Sequence, residues 1–411
     1  MRFLYTLAIR SYALGIRMAA LLGHAKAKLW VNGRKQLPDT EIDDGEWIWF
    51  HAASLGEFEQ GRPVMEAIKA QHPKYKILLS FFSPSGYEIR KNYAFADEVL
   101  YLPTDTPAHA AQWLQRHRFV AAFFIKYEFW FHYMRALKEN GVPLFYISLI
   151  LNPRQYFFKP YGKWFRKQLD TVSHFFVQDE QTRNLLHSIG IDRVTVCGDT
   201  RFDRVAAIAQ QVKPFPDIEG FIKGRKCIIA GSSWQPDERL LVRRIAQLPD
   251  DYCFLMAPHD ISDSHLAQIR HLFATAGVND YQFYTELDVE RNSKVLVLNT
   301  IGILSQLYQY ARFVYIGGGF GVNIHNIQEP VTFGCPVVFG PKYKSFKEAV
   351  DLVALGGAFP VQDQAGLDAI FDALMQDESF RTTASKVCSD YVKAQVGATE
   401  AILKGCSKLF L

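Results

Sequence analysis

Short apolar runs alternate along the chain with longer stretches in which apolar residues recur every three or four positions. A short apolar run bounded by turn residues reads as a buried strand, and the 3.6-residue recurrence reads as a helix packed by one face. The pattern predicts strands over residues 47–51, 76–82, 98–102, 120–125 and 142–149, with helices over 58–70, 85–92, 108–117 and 129–139 between them. Residues 38–46, rich in acids and turn formers, read as a loop. Two prolines and two glycines within residues 211–225 break the rhythm and predict a linker. Beyond it come strands over 226–230, 252–257, 294–298, 313–316 and 336–339, helices over 238–246, 264–276 and 303–311, and more helix from Phe346 towards the C-terminus. Strands separated by helices pair in parallel, with helices covering both faces. The expected class is therefore α/β, in two similar halves. Ligands of such sheets bind beyond the carboxyl ends of the strands.

The first 35 residues stand apart. Residues 3–23 are apolar but carry Arg10 and Arg17. Each charge costs roughly 2.5–3.5 kcal/mol at the centre of a bilayer, which disfavours a crossing helix. No small-residue cleavage site follows, so a signal peptide is not read. Two readings remain: a helix lying in a membrane interface with its cations at the headgroups, or an amphipathic helix packed on its own domain. Charge sharpens the contrast. The 411-residue chain has a net charge of +4, yet residues 1–35 carry +7 with no acid, which leaves −3 for the rest. A nucleic-acid binder would carry its basic face through the fold, so no nucleic-acid partner is expected. An anionic surface near the N-terminus is. A hydrophobic content of 49% with 21% charged residues excludes a disordered chain or a fibrous rod. Six cysteines without a C-x-x-C pair argue against a disulfide scaffold and for a reducing compartment.

Candidate chemistry lies at the turns. In HAASLGE (residues 51–57), Ser54 and Glu57 have the spacing of a capping box, the simpler reading. The alternative makes Glu57 a general base at the carboxyl end of the first strand. In KYEFW, Glu128 follows a buried strand and is either a functional acid or a helix cap. Arg201, in GDTRFD, either neutralises a leaving phosphate or pairs with Asp199 or Asp203. In AGSSWQPDE, Ser232 and Ser233 precede a helix start, an arrangement that holds phosphates but also makes ordinary turns. The strongest local feature is IGGGFGVNIHNIQEP, with Gly317, Gly318, Gly319 and Gly321 followed by Asn323, His325, Asn326 and Glu329. The G-x-G-x-x-G spacing is not met, which disfavours a nicotinamide dehydrogenase. So many glycines are costly in chain entropy, which favours a ligand site involving Gly318, Gly319 and Asn323, with the Glu329 carboxylate available to ribose hydroxyls. There is no D-x-D, and His259, Asp260, Asp263 and His265 lack a zinc spacing, so no metal is expected. No hydrolase nucleophile motif occurs.

In chain order, HAASLGE, SPSGYE, YLPTD, KYEFW, GDTRFD, APHD, NTIGILSQLY and GGGFGVNIHNIQEPVTFGCPVVFGP resemble the signatures of bacterial 3-deoxy-D-manno-octulosonic acid (Kdo) transferases. The resemblance spans most of the chain. It implies the GT-B fold, two Rossmann-like domains with parallel sheets facing a central cleft, plus an N-terminal membrane-associated helix. The implied divisions are residues 1–35 for the helix, 36–207 for an acceptor-binding domain and 208–411 for a CMP-Kdo-binding domain, with the last helix free to cross back to the first domain. The implied reaction is metal-independent, inverting transfer of Kdo from CMP-Kdo to the lipid A precursor (lipid IVA), with no cofactor. The implied location is the cytoplasmic face of the bacterial inner membrane, as a peripheral or monotopic protein.

The resemblance also implies roles. Glu57 looks like the general base, and Glu128 and Arg201 match positions that support the transition state. Pro258 and His259, then Ile301, Gly302 and Ile303, then Asn326, Ile327, Gln328 and Glu329, match segments that bind CMP. Arg201 stands where Lys is usual, His259 where Arg is usual, and Ile303 where many relatives have Glu. Two other classes fit less well. A GT-B isomerase of the nucleotide-sugar epimerase kind has no use for the basic apolar start. A non-catalytic peripheral membrane nucleotide-binding protein has no use for Glu57, Glu128 and Arg201 together.

Overall fold

The computed structural model describes residues 1–35 and 45–409. Of the loop expected over 38–46, residues 38–44 lie outside the described residues. The chain divides into two compact units, Met1–Asp203 with Val396–Leu411, and Arg204–Gln395. The division falls at 203/204 rather than 207/208, residues 1–35 are part of the first unit rather than a separate body, and the C-terminal segment belongs to that unit too.

The first unit is built on β1 (Glu46–Ala52), β2 (Lys76–Phe81), β3 (Glu98–Tyr101), β4 (Arg118–Ile125), β5 (Leu144–Leu149), β6 (His174–Val177) and β7 (Val194–Val196). All pairs are parallel, in the order β3-β2-β1-β4-β5-β6-β7. Period-two alternation sets the faces. Trp47 and Trp49 pack with Trp113, Phe124 and Tyr133 on one side. Ile48, Phe50 and Ala52 pack with Phe58, Ile68 and Phe176 on the other. A sheet buried on both faces needs near-continuous apolar strands, which is why β1 and β4 were legible as runs.

Asp203 explains the returning C-terminus. Its carboxylate accepts the backbone N–H groups of Gly397 and Thr399, both at 2.6 Å, at the start of the helix Ala398–Gly405. Ile402 and Cys406 then complete the core beside Phe58 and Phe176.

The second unit carries β8 (Lys226–Ser233), β9 (Tyr252–Pro258), β10 (Tyr281–Phe283), β11 (Val295–Val297), β12 (Ala311–Ile316), β13 (Val337–Phe339) and β14 (Ala358–Pro360), in the order β10-β11-β9-β8-β12-β13-β14. The expected linker contains a helix, Pro216–Ile222, whose Ile218 and Phe221 are buried. The helix expected over 303–311 shortens to Leu304–Leu307 and a 3-10 turn, because Ala311 already belongs to β12. In each sheet the strand order reverses at one place, between β1 and β4 and between β8 and β12. Ligands of doubly wound sheets bind at such switch points.

The helix Arg2–Leu21 turns Tyr5, Ile9, Ala13, Ile16 and Ala20 towards the domain, the spacing of one helical face. Its opposite face leaves Phe3 (76%), Leu7, Leu14, Met18 and Leu21 (87%) exposed. The fully enclosed Asp105 carboxylate latches the packed face. It accepts Tyr5 O–H at 2.6 Å and the N–H groups of His132 and Tyr133, both at 3.0 Å. From the next helix, Ala25–Lys35, Arg34 donates to the carbonyls of Leu102 and Phe82, both at 2.8 Å, with its guanidinium 3.8 Å from the Trp30 ring centroid. Burial pulls the Arg34 pKa down to about 9. Among the described residues no helix is long and apolar enough to cross a membrane.

Candidate active site

Three non-glycine residues with left-handed backbone mark the carboxyl ends of strands: Lys126 (φ 60°) just after β4, Ser148 (φ 52°) in β5 and Ser232 (φ 52°) in β8. Such conformations cost about 1–3 kcal/mol each and persist where the surroundings impose them. Two of the three lie at the switch points.

At the β1/β4 switch, Ser54 precedes the helix Leu55–Gln71 but makes no side-chain cap. The capping box is not formed. Instead the Ser54 hydroxyl donates to the Glu57 carboxylate. The cap reading fails for Glu128 as well. The N–H groups at the start of the helix Phe131–Glu139 go to Asp105. The Glu128 carboxylate, 14% exposed, lies 3.8 Å from His51 Nε2, beyond hydrogen-bond reach. His51 is fully buried. Its Nε2 accepts the Trp130 indole N–H at 2.9 Å, so its proton sits on Nδ1 and is donated to Ser80 Oγ at 2.8 Å. Trp49 also donates to Ser80 Oγ, at 2.7 Å. Glu128 therefore faces a satisfied neutral ring. Burial, then Glu57 and Glu128, push the Tyr127 pKa up. Glu57 follows β1 and Glu128 follows β4, so both carboxylates stand beyond the carboxyl ends of paired strands. His51, Tyr127 and Trp130 were missed as participants, although HAASLGE and KYEFW contain them.

Arg201 pairs with Asp199 and not with Asp203. Its Nη2 and Nε lie 2.6 and 2.9 Å from Asp199 Oδ2, and it keeps 29% of its side chain exposed. Gln60, one turn beyond Glu57 on the same helix, donates to the same oxygen at 3.2 Å. Asp199 so ties the Arg201 fork to the helix that carries Glu57.

At the β8/β12 switch, Ser233 is wholly buried and donates to Glu238 at 3.0 Å. The following helix, Gln235–Ala246, opens with Asp237 and Glu238, and Asp237 accepts Trp234 N–H at 2.9 Å. Two buried acids in a first turn repel a phosphate, so the expectation of an anion site beside Ser232 and Ser233 draws no support from this helix start. The glycine run has its own packing logic. A Cβ on Gly317 would lie 2.3 Å from the Ser232 carbonyl oxygen, and one on Gly319 would lie 2.7 Å from Gly340 backbone. Close backbone approach therefore accounts for Gly317 and Gly319, and φ +93° for Gly318. The chain-entropy argument for a ligand falls away at these positions.

What remains at this switch is a cluster of rings. Pro258 ends β9, and His259 N–H bonds the Ser233 carbonyl at 2.9 Å. Trp234 Nε1 donates to His325 Nε2 at 2.9 Å. His259 stacks on both, with centroids 4.6 Å from Trp234 and 4.4 Å from His325. Ile301 stands out at 82% exposed before Gly302 (φ +98°) and Ile303. Asn323 accepts from Ser345 at 3.0 Å. Asn326 caps Gln328 N–H at 2.9 Å and donates to Glu329 at 3.2 Å. Ile327 is buried, and Gln328 is buried against Glu348, so neither presents its side chain. Among the described residues no three His, Cys, Asp or Glu side chains group as a metal site.

The sequence profile described as "3-Deoxy-D-manno-octulosonic-acid transferase (kdotransferase)" matches residues 21–204. A 3-deoxy-D-manno-octulosonic acid transferase of Aquifex aeolicus is 26% identical over 329 residues, covering 78% of this chain and 83% of that protein. One from Bordetella pertussis is 24% identical over 377 residues, covering 87% and 86%. Among solved structures, a UDP-GlcNAc 2-epimerase from Neisseria meningitidis bound to UDP-GlcNAc superposes with a TM-score of 0.62 at 14% identity, over 88% of this chain and 100% of that one. A putative UDP-N-acetylglucosamine 2-epimerase from Listeria monocytogenes gives 0.60 at 12% identity, over 89% and 96%. These two likenesses speak to the fold alone.

The doubly wound sheets and the matched relatives define a glycosyltransferase of the GT-B class. Within that class the chain is similar to Kdo transferases, whose profile matches residues 21–204 and whose relatives align over 78–87% of its length.

Proposed function

We propose that the protein transfers Kdo from CMP-Kdo to the phosphorylated lipid A precursor (lipid IVA) in lipopolysaccharide synthesis, with inversion and without a metal. The observation that carries this reading is that two carboxylates, Glu57 and Glu128, follow the adjacent strands β1 and β4 at the switch point of the first sheet. In it, Ser54 holds one oxygen of Glu57 by donating to it, and the other takes the proton of an acceptor sugar hydroxyl. The alkoxide attacks the anomeric carbon of Kdo from the side opposite the phosphate. The C–O bond to CMP breaks and CMP leaves with the electron pair. A monophosphate leaving group carries less charge than a sugar diphosphate, and Arg201 supplies a cation to it. The donor nucleotide occupies the β8/β12 switch, among His259, Ile301–Ile303, Asn326 and Glu329. The exposed apolar face of Arg2–Leu21, with Arg10 and Arg17, rests in an anionic membrane surface, where each cation adds about 1 kcal/mol. That contact makes the protein peripheral to the inner membrane on its cytoplasmic side.

The test is a transfer assay with purified protein, CMP-Kdo and lipid IVA in detergent, with EDTA present, read by mass spectrometry. A lipid mass raised by one or more Kdo units is expected. CMP release without a Kdo-lipid would overturn the acceptor, and loss of turnover in EDTA would overturn metal independence. Unconsumed CMP-Kdo would overturn the donor.

A further inference from the structure

The three rings at the β8/β12 switch have an arrangement that ordinary packing does not require. Trp234 and His325 lie nearly coplanar, 17° apart with centroids 6.4 Å apart, joined edge to edge by the indole N–H on His325 Nε2. They form one flat platform. His259, an exposed ring, lies over both halves, tilted 29° from Trp234 and 22° from His325. We propose that this platform makes His259 a proton-coupled receptor for the donor's phosphodiester, so that binding the nucleotide draws a proton onto its imidazole. The proposal rests on the donor assignment above and adds the regulation of that site by pH.

The two histidines cannot exchange roles. His325 Nε2 has its lone pair committed to the Trp234 N–H, so protonation there would break that bond. Burial, and after it the neighbouring His259, lower the His325 pKa further. His259 has no such commitment. As imidazolium it would lie against two aromatic faces, a favourable setting for a cation.

The other charged groups around the stack are engaged. Asp237 accepts from Gly318 N–H at 2.9 Å and Tyr315 O–H at 2.8 Å. Glu238 accepts from Ser233 and from His265, each at 3.0 Å. Asp260 accepts Ser262 N–H at 2.8 Å; hydrogen bonds from Ser262, and after them the charges of His265 and His259, keep its pKa low. Glu329 is held by Asn326, and Lys342 Nζ donates to the Gly321 carbonyl. An imidazole titrates near pH 6.5, inside the physiological range. An anion that favours the charged ring is bound more tightly at low pH, with a slope of up to about tenfold per pH unit.

The probe is cytidine 5′-methylphosphate, a phosphodiester whose charge does not change between pH 6 and 8. Calorimetry on the full chain at pH 6.0 and 8.0, each in two buffers of different ionisation enthalpy, gives affinity and protons together. The expected result is binding about tenfold or more weaker at pH 8.0, with proton uptake that grows with pH. His259→Arg should bind at pH 8.0 about as the native protein does at pH 6.0, with no uptake. His259→Gln should bind weakly at both. Binding without pH dependence, or a slope kept in His259→Arg, overturns the proposal and leaves the donor assignment standing. No binding at either pH by protein with native circular dichroism overturns both.

Discussion

Removing one oxygen from Tyr5 should loosen the N-terminal helix without disturbing its packing. In Tyr5→Phe the ring keeps its neighbours, Phe131 at 5.0 Å and Trp164 at 6.0 Å between centroids. What is lost is the O–H on Asp105 Oδ2. A hydrogen bond to a charged partner is worth about 1.5–3 kcal/mol, or roughly tenfold to a hundredfold in the docking equilibrium of residues 2–21. The loss should depend on pH. Burial pushes Asp105 up to about 6, and the Tyr5 hydrogen bond opposes that rise. The folded value lies above the unfolded value of about 3.9. The folded chain therefore holds the extra proton between those values, and stability falls as pH rises through about 6. Without Tyr5 the carboxylate is harder to ionise, so the penalty is full at pH 7.5 and smaller at pH 5.5. Hydrogen exchange with mass spectrometry on peptides covering 2–21, variant against native protein at each pH, reads both. Equal protection at pH 7.5, or a larger effect at pH 5.5, would refute the reasoning.

Three further outcomes are expected. Glu57→Gln should lower kcat by about 10²–10⁴ while leaving the affinity for cytidine 5′-methylphosphate unchanged; turnover within a few-fold of native would remove Glu57 as the base. Asp203→Ala strips the cap from the helix Ala398–Gly405 and should cost about 0.5–2 kcal/mol, seen as faster proteolysis within 396–409. Gly319→Ala drives a Cβ to 2.7 Å from Gly340 backbone, whereas the nearest atom to a Cβ on Gly321 is at 3.3 Å. Thermal unfolding should show a loss of about 1–3 kcal/mol for the former and little for Gly321→Ala.

The long, fully buried strands were legible because burial on both faces writes a continuous apolar run, as in β1, β4 and β9. Of the short edge strands, β3 was legible and β7, β10 and β14 were not. β7 is three half-buried residues and β14 is three, with proline at its end, and neither leaves a run to detect. The site was legible in its motifs and illegible in its bonding. S-x-x-E spacing cannot say whether a serine hydroxyl accepts from the backbone or donates to the carboxylate. GDTRFD offers Arg201 two aspartates, and only the return of residues 396–411 reserves Asp203 for a helix start. The packing reason for the glycine run was illegible because the backbone it touches, Ser232 and Gly340, is distant in sequence.

The returning segment also sets an order of events during synthesis. Ile402 and Cys406 close a core whose other members, from Ile48 to Phe176, leave the ribosome before any of the second unit. The 192 residues of Arg204–Gln395 must be made in between, about 10–40 s at 5–20 residues per second. Through that interval the first domain waits with one apolar flank unsealed. Newly made protein is then a candidate for chaperone capture, and a ribosome stalled late in the message yields a finished second domain behind an unfinished first one.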